Sequence, residues 1–216
     1  MRTVFHDELA QITSDLLGIA DLVRTACADA TTALLQADVQ LADKVIAGDR
    51  DIDAKRADLD SHAIDLLARQ SPVATDLRTI VTSMRMSADL ERMGDLARHL
   101  AQDARRRFPE AVIPERLADD YARLFELDLA ILDGVIEMLE TRDISLYDRI
   151  AEQKAQVSAV HRGILDAMGR PDWDAPVHTT VDVTLSARYL ERMSDHGIAV
   201  ARKVSYLVTG QWAPPA

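Results

Sequence analysis

The sequence predicts an all-α protein in which six long helices form two tandem, duplicated three-helix bundles. Three observations support this prediction: a helix-favouring composition, apolar residues at helical spacing, and a motif that occurs twice. Hydrophobic residues make up 48% of the 216 residues and aromatic residues only 4%. Ala, Leu and Arg, which are good helix formers, are abundant.

The first half contains three helical segments. In the first, apolar residues recur at alternating steps of three and four, which is typical of a packed helix. They are Leu9, Ile12, Leu16, Ile19, Val23, Ala26, Ala30, Ala33 and Ala37. Asp38 is expected to cap a second helix that ends near Gln70, before the break at Pro72. Its inward residues are Leu41, Val45, Ile52, Leu59, Ala63 and Leu66. A third helix is predicted from about residue 75 to Arg107.

The second half has the same pattern. A fourth helix is predicted to begin at Pro114, a fifth at Asp143 or Ser145, and a sixth to run from about residue 179 to Thr209. Short connections between these segments make neighbouring helices antiparallel.

An internal repeat relates the two halves. Residues 38–45 (DVQLADKV) match residues 143–150 (DISLYDRI) in residue type at most places. The expected boundaries are therefore a first bundle at 1–109, a second bundle at 110–210 and a tail at 211–216.

One acidic motif occurs on the last helix of each half, as DLERMGD at residues 89–95 and YLERMSD at residues 189–195. Residues four apart stack on one helix face. The stacked pairs are Glu91 with Asp95 and Glu191 with Asp195. The helical register through Leu77, Val81 and Met84 predicts that the first pair continues a core-facing seam. Carboxylates on such a seam need compensation by arginine, water or a metal ion.

A third acid pair, Asp49 and Asp53, lies on the second helix. Because the second and third helices are expected to be antiparallel partners, this pair could face Glu91 and Asp95. Four carboxylates suit a divalent metal such as Mn, Mg, Fe or Zn, and His99 could add an imidazole. The competing interpretation is a set of solvated helix faces.

Charge and composition exclude several classes of protein. The net charge of -11 disfavours nucleic acid as a partner. The single cysteine, Cys27, cannot form an internal disulfide and is expected in the core. No secretory signal and no uncharged apolar run of about 18 residues occurs. We therefore expect a cytoplasmic protein that meets a membrane only through partners. Arg92 and Arg192 are expected to make salt bridges.

Five segments together resemble the PhoU family, the accessory regulators of the bacterial high-affinity phosphate transporter. They are 49–53 (DRDID), 71–78 (SPVATDLR), 89–95, 188–196 (RYLERMSDH) and 206–210 (YLVTG). The resemblance covers nearly the whole chain. It implies two similar three-helix bundles and acid-x-x-x-acid motifs that bind metal ions. It also implies a homodimer that acts as a negative regulator of phosphate homeostasis. The implied partners are the phosphate ABC transporter ATPase and a phosphate-sensing histidine kinase.

The chain departs from the family pattern in its second half. The repeat sets Lys154 opposite Asp49 and Ser158 opposite Asp53. We expect the Lys154 ammonium near Glu191, where an ion pair would replace a metal ion. The first half is therefore the better metal candidate.

Two alternatives remain open beside the metal-binding regulator. A carboxylate-bridged metal oxidase would usually carry Glu-x-x-His pairs, but Gly94 follows Glu91 and Ser194 follows Glu191 at that spacing. No nucleophile–base arrangement or glycine-rich phosphate loop occurs, so neither an enzyme nor an organic cofactor is expected. The second alternative is a metal-free helical scaffold.

Overall fold

The structure, a computed structural model, describes residues 2–213. Within that range it contains six long helices and no strand, which confirms the predicted all-α fold. The helices are α1 (Arg2–Gln36), α2 (Val39–Gln70), α3 (Ala74–Arg107), α4 (Ala118–Thr141), α5 (Leu146–Met168) and α6 (Val177–Thr209). A single 3₁₀ turn, Glu115–Leu117, precedes α4.

The helix ends follow local capping chemistry. The Asp38 side chain accepts hydrogen bonds from the backbone N–H groups of Gln40 and Leu41, both at 3.0 Å, which confirms the predicted cap of α2. Gly210 ends α6 in the left-handed conformation, with φ of 74°. The sixth helix begins at Val177, two residues before the expected start, because Pro176 sets its entry.

Each half forms a three-helix bundle, with α1, α2 and α3 packed together and α4, α5 and α6 packed together. The bundles meet where α3 packs against α6 and α1 against α4. One hydrophobic core cluster runs through both halves. The helix α3 therefore contacts three neighbours, two in its own bundle and one in the other.

The predicted seam of α3 is wrong in its register. Leu77 is 41% exposed, and Val81 and Met84 are only partly buried. The buried line instead comprises Ile80, Ser83, Ser87, Leu90, Met93, Ala97 and Leu100. Because α3 packs against three helices, its buried face is wider than one seam. The acids Glu91 and Asp95 flank that face.

Polar and sulfur contacts join the two halves. Asp89 on α3 lies 3.0 Å from His196 Nδ1 and accepts a hydrogen bond from Lys203 Nζ at 2.5 Å. The buried thiol of Cys27, on α1, lies 3.3 Å from the sulfur of Met193, on α6. The prediction of a core cysteine is confirmed.

The segment after α6 folds back onto the bundle. The ring of Trp212 stacks on Tyr206 with centroids 4.2 Å apart, and Arg202 donates to the Ala213 carbonyl at 3.3 Å. Residues 214–216 of the expected tail lie outside the described residues. Along the described helices, none is long and apolar enough to cross a membrane.

Candidate functional site

A close approach of α2 to α3 brings the first-half acids together. A Cβ atom on Gly94 would lie 2.9 Å from Cδ1 of Ile52, so the glycine allows α2 to lie against α3 at this point. On α2, Asp49 lies one turn before Ile52 and Asp53 directly follows it. On α3, Glu91 lies one turn before Gly94 and Asp95 directly follows it. Asp49 senses the charges of Asp53 and Asp95, which places the acids in one electrostatic group.

Arginines neutralise this group. Arg98 bridges the two helices, because its Nε lies 2.6 Å from Oδ2 of Asp49 and its Nη2 lies 2.5 Å from Oδ1 of Asp95. Arg92 holds the other oxygen of Asp95 at 2.9 Å, as expected of a salt bridge. Arg56 on α2 approaches Oε1 of Glu91 at 3.6 Å.

The directions of the pKa shifts show for which acids the charged form is disfavoured in the folded chain. Burial raises the pKa of Asp49, and burial together with the charges of Asp53 and Asp95 outweighs the lowering by Arg98. Burial and the charge of Asp95 likewise raise the pKa of Glu91, despite Arg92 and Arg56. Burial would also raise the pKa of Asp95, but the hydrogen bonds from Arg98 and Arg92 prevail and lower it. A cation nearby would therefore favour the charged forms of Asp49 and Glu91.

The site contains carboxylate oxygens that could bind a metal ion, but arginine side chains already contact them. Oε2 of Glu91 is buried and makes no hydrogen bond, and it lies 3.7 Å from Nε of Arg92. Among the described residues, however, no group of three or more His, Cys, Asp or Glu side chains is arranged to hold a metal ion. Metal binding would require Arg98 to move away from Asp49 and Asp95. The assignment of Asp49, Asp53, Glu91 and Asp95 as metal ligands therefore stays a prediction.

The second half places a lysine where the first has acids. Lys154 Nζ lies 3.1 Å from Oδ1 of Asp195 and donates to Ser158 at 3.0 Å. The expected partner, Glu191, pairs instead with Arg188, one turn earlier on α6. Lys154 reaches the second-half acid pair as expected, but it contacts Asp195 rather than Glu191.

Asp128 on α4 is a buried acid that sequence reasoning missed. It is 3% exposed, and neither of its carboxylate oxygens has a hydrogen-bond partner. Burial, together with the charge of Asp195, raises its pKa well above the ordinary value of aspartate. The available signal was an acid between Leu127 and Ile131 on an apolar seam.

Three other side chains differ from their expected places. His99 turns away from the first-half acids and stacks on Tyr189 of α6, with centroids 5.3 Å apart. His196, which is not among the predicted site residues, bonds to Asp89. Arg192 makes no ion pair with any described residue, so the salt bridge expected for it is wrong. These residues meet in a cleft between α3 and α6.

Two three-helix bundles, each with an acid motif on its last helix, define a duplicated helical-bundle protein that gathers charged side chains between helices. The family model described as the PhoU domain matches the chain twice, over residues 16–104 and 121–204. The chain belongs to the PhoU family.

Relatives match along nearly the full length. The "Phosphate-specific transport system accessory protein PhoU homolog 1" of Mycobacterium leprae is 37% identical over 212 residues, covering 98% of this chain and 96% of that protein. PhoU homolog 2 of Mycobacterium bovis is 37% identical over 210 residues, covering 97% and 99%. The crystal structure of PhoU from Pseudomonas aeruginosa matches with a TM-score of 0.88 at 28% identity, covering 96% of this chain and all of that one.

Proposed function

We propose that the protein is a non-enzymatic regulator of phosphate homeostasis. It restrains the high-affinity phosphate transporter and the phosphate-starvation response while phosphate is plentiful. The observation that carries this proposal is the similarity, over 98% of the chain, to a protein named for the phosphate-specific transport system. The direction of control, the partners and a cytoplasmic location come from the family resemblance.

Deletion of the gene tests the proposal. In phosphate-rich medium, the deletion strain should express phosphate-scavenging genes that the parent strain keeps silent. Reintroducing the wild-type gene should restore silence. Unchanged expression in a strain with no second PhoU-type gene would contradict the regulatory role.

The proposed partners are the cytoplasmic ATPase of the phosphate transporter and a phosphate-sensing histidine kinase. The purified chain should retain one of them in a direct binding assay. If neither protein binds under high-phosphate and low-phosphate conditions, regulation through these partners is wrong.

We further propose that the first-half acids bind a divalent metal ion, with Mn, Mg, Fe and Zn as the ions to test. Support comes from the raised pKa values of Asp49 and Glu91 and from Oε2 of Glu91, which is buried and makes no hydrogen bond. Carboxylate oxygens are the ligands that hard divalent ions prefer. The bound ion would replace Arg98 as the charge that holds α2 to α3.

A homodimer is the proposed assembly. Apolar residues at intervals of four remain exposed on the first turns of α6, namely Val177, Val181 and Leu185. Burying such a stripe would offset the repulsion between two chains that each carry a net charge of -11. Sedimentation should show a dimer at micromolar concentration. A monomer at tens of micromolar, where ordinary dimers persist, would contradict this assembly.

A further inference from the structure

The cleft between α3 and α6 concentrates positive side chains in an otherwise acidic protein. It encloses about 270 Å³ and lies where the two copies of the motif face each other. Its charged and polar lining consists of Arg92, Arg188, Arg192, His99, His196 and Asp95. Three guanidinium groups at one place are unexpected in a chain with a net charge of -11.

The duplication creates this arrangement. Arg92 and Arg192 occupy the same position in the two motif copies, directly after the glutamate. Because α3 packs across α6, the two copies send their arginines into a single cleft. Arg188, one turn before Arg192, adds the third guanidinium group.

The arginines keep donors available. Arg192 has no ion pair among the described residues, whereas Arg92 places Nη1 2.9 Å from Asp95 and Nε 3.7 Å from Glu91, and Arg188 pairs with Glu191. A guanidinium group has five N–H donors. Arg192, whose charge no carboxylate balances among the described residues, would gain most from an anion in the cleft.

We propose that this cleft binds a phosphate group, with inorganic phosphate as its ligand. The planar fork of arginine matches two phosphate oxygens at once, which makes guanidinium clusters suited to this anion. Nδ1 of His99 lies 3.2 Å from Gln102 and Nδ1 of His196 bonds to Asp89, so Nε2 is the nitrogen that each ring leaves for the anion.

Asp95 gives the cleft a means of selection. Each of its oxygens already accepts from an arginine, but a carboxylate has room for about four hydrogen bonds in all. Inorganic phosphate keeps at least one O–H at neutral pH and can donate it to Asp95. Sulfate has no proton to donate, so the carboxylate would repel it.

The biological meaning of the site rests on the proposed function. If phosphate binds where the two halves meet, the occupancy of the cleft would depend directly on the phosphate concentration. Asp95 and Arg92 belong both to this cleft and to the first-half acid group. Occupancy of the cleft would therefore change the charge balance around Glu91 and Asp49.

Isothermal titration calorimetry on the full chain tests the site with inorganic phosphate, glycerol 3-phosphate and sulfate. Wild type should bind phosphate saturably and bind sulfate far more weakly. Arg192→Gln should weaken phosphate binding about tenfold or more, the value of one charge-assisted hydrogen bond. Arg188→Gln serves as a second variant. Arg85→Gln is the matched control, because Arg85 is exposed on α3 outside the cleft.

Several outcomes would overturn the assignment. They are the absence of saturable binding at millimolar phosphate, equal binding of sulfate, and equal losses in Arg192→Gln and Arg85→Gln. Tighter binding of glycerol 3-phosphate, whose phosphate carries few protons at neutral pH, would overturn both inorganic phosphate as the ligand and the role of Asp95 as acceptor of a phosphate O–H. A failure here leaves the gene-deletion result intact, and a failed deletion phenotype leaves the calorimetry intact, so the two proposals fail separately.

Discussion

The ammonium nitrogen of Lys154 lies 3.1 Å from Oδ1 of Asp195. This single contact distinguishes the two halves of a duplicated chain. In the second half, a cation that belongs to the protein already stands at the acid pair. In the first half, the same region holds Asp49 and depends on Arg98, which must serve two carboxylates.

Metal should therefore occupy the first half in preference to the second. The double variant Glu91→Ala, Asp95→Ala should lose most bound metal, and with it any metal-dependent rise in melting temperature. The double variant Glu191→Ala, Asp195→Ala should keep nearly all of it. Metal stoichiometry after equal purification and equal loading with Mn, Mg, Fe or Zn is the measurement. Equal losses in the two variants would show that the asymmetry is wrong.

Arg98 and a metal ion should compete for the same oxygens. Without metal, Arg98→Ala should lower the free energy of unfolding by about 1–3 kcal/mol, because it leaves the carboxylate of Asp49 unpaired. With metal supplied, the rise in melting temperature should be larger in this variant than in wild type. Arg50→Ala is the control, since Arg50 is exposed on α2 and makes no ion pair with a described residue. A smaller metal effect in Arg98→Ala would mean that the arginine supports the site rather than occupying it.

Gly197 should not tolerate even a methyl group. A Cβ atom there would lie 2.5 Å from Cγ2 of Ile131. Ile131 is fully buried, so its side chain cannot move aside without displacing neighbouring core residues. Gly197→Ala should lower the free energy of unfolding by about 1–3 kcal/mol. Gly163→Ala is the matched control, because a Cβ atom there meets nothing within 4 Å. That change should stabilise α5 by up to about 1 kcal/mol.

Thermal melting of the two glycine variants gives the comparison. The predicted signs are opposite, with Gly197→Ala melting below wild type and Gly163→Ala at or above it. If the two variants have the same melting temperature, the close packing of α6 against α4 does not restrict the size of the side chain at residue 197.

Asp128 should make stability fall as pH rises. Its pKa is raised in the folded chain, so the folded state holds a proton that the unfolded state has released. Between the ordinary pKa of aspartate and the raised value, stability therefore falls by up to about 1.4 kcal/mol per pH unit. Asp128→Asn should remove this contribution and raise stability near neutral pH.

Urea unfolding at a series of values between about pH 5 and 8 measures this slope. Asp120→Asn, an exposed change on the same helix, is the control. An unchanged slope in Asp128→Asn would show that this carboxyl does not carry the dependence.

Sequence periodicity could predict the helices because each is long and its ends carry local signals. Asp38, Gly210 and the core cysteine are examples in which the residue type alone determines the outcome. The register of α3 could not be obtained in this way. A helix with three neighbours buries most of its circumference, and Leu77 and Ile80 then look alike until the neighbours are placed.

The candidate site shows the same limit. Spacing of four residues was enough to pair Glu91 with Asp95, and the repeat was enough to bring Lys154 to the second acid pair. It could not tell whether Lys154 meets Glu191 or Asp195, since both lie within reach of a flexible side chain. The cleft and the contact of His196 with Asp89 depend on how α3 crosses α6, which no local pattern encodes.

The place of Cys27 has a practical consequence. Its thiol is buried against Met193 where the two bundles join, and burial raises its pKa, so the reactive thiolate is scarce while the halves stay together. A thiol-directed reagent can reach it only when the packing around α1 opens. The rate at which the native chain is labelled at Cys27 therefore measures how often this opening occurs, and no probe residue has to be introduced. Any partner or ion that stabilises the contact between the two bundles will lower the labelling rate of Cys27.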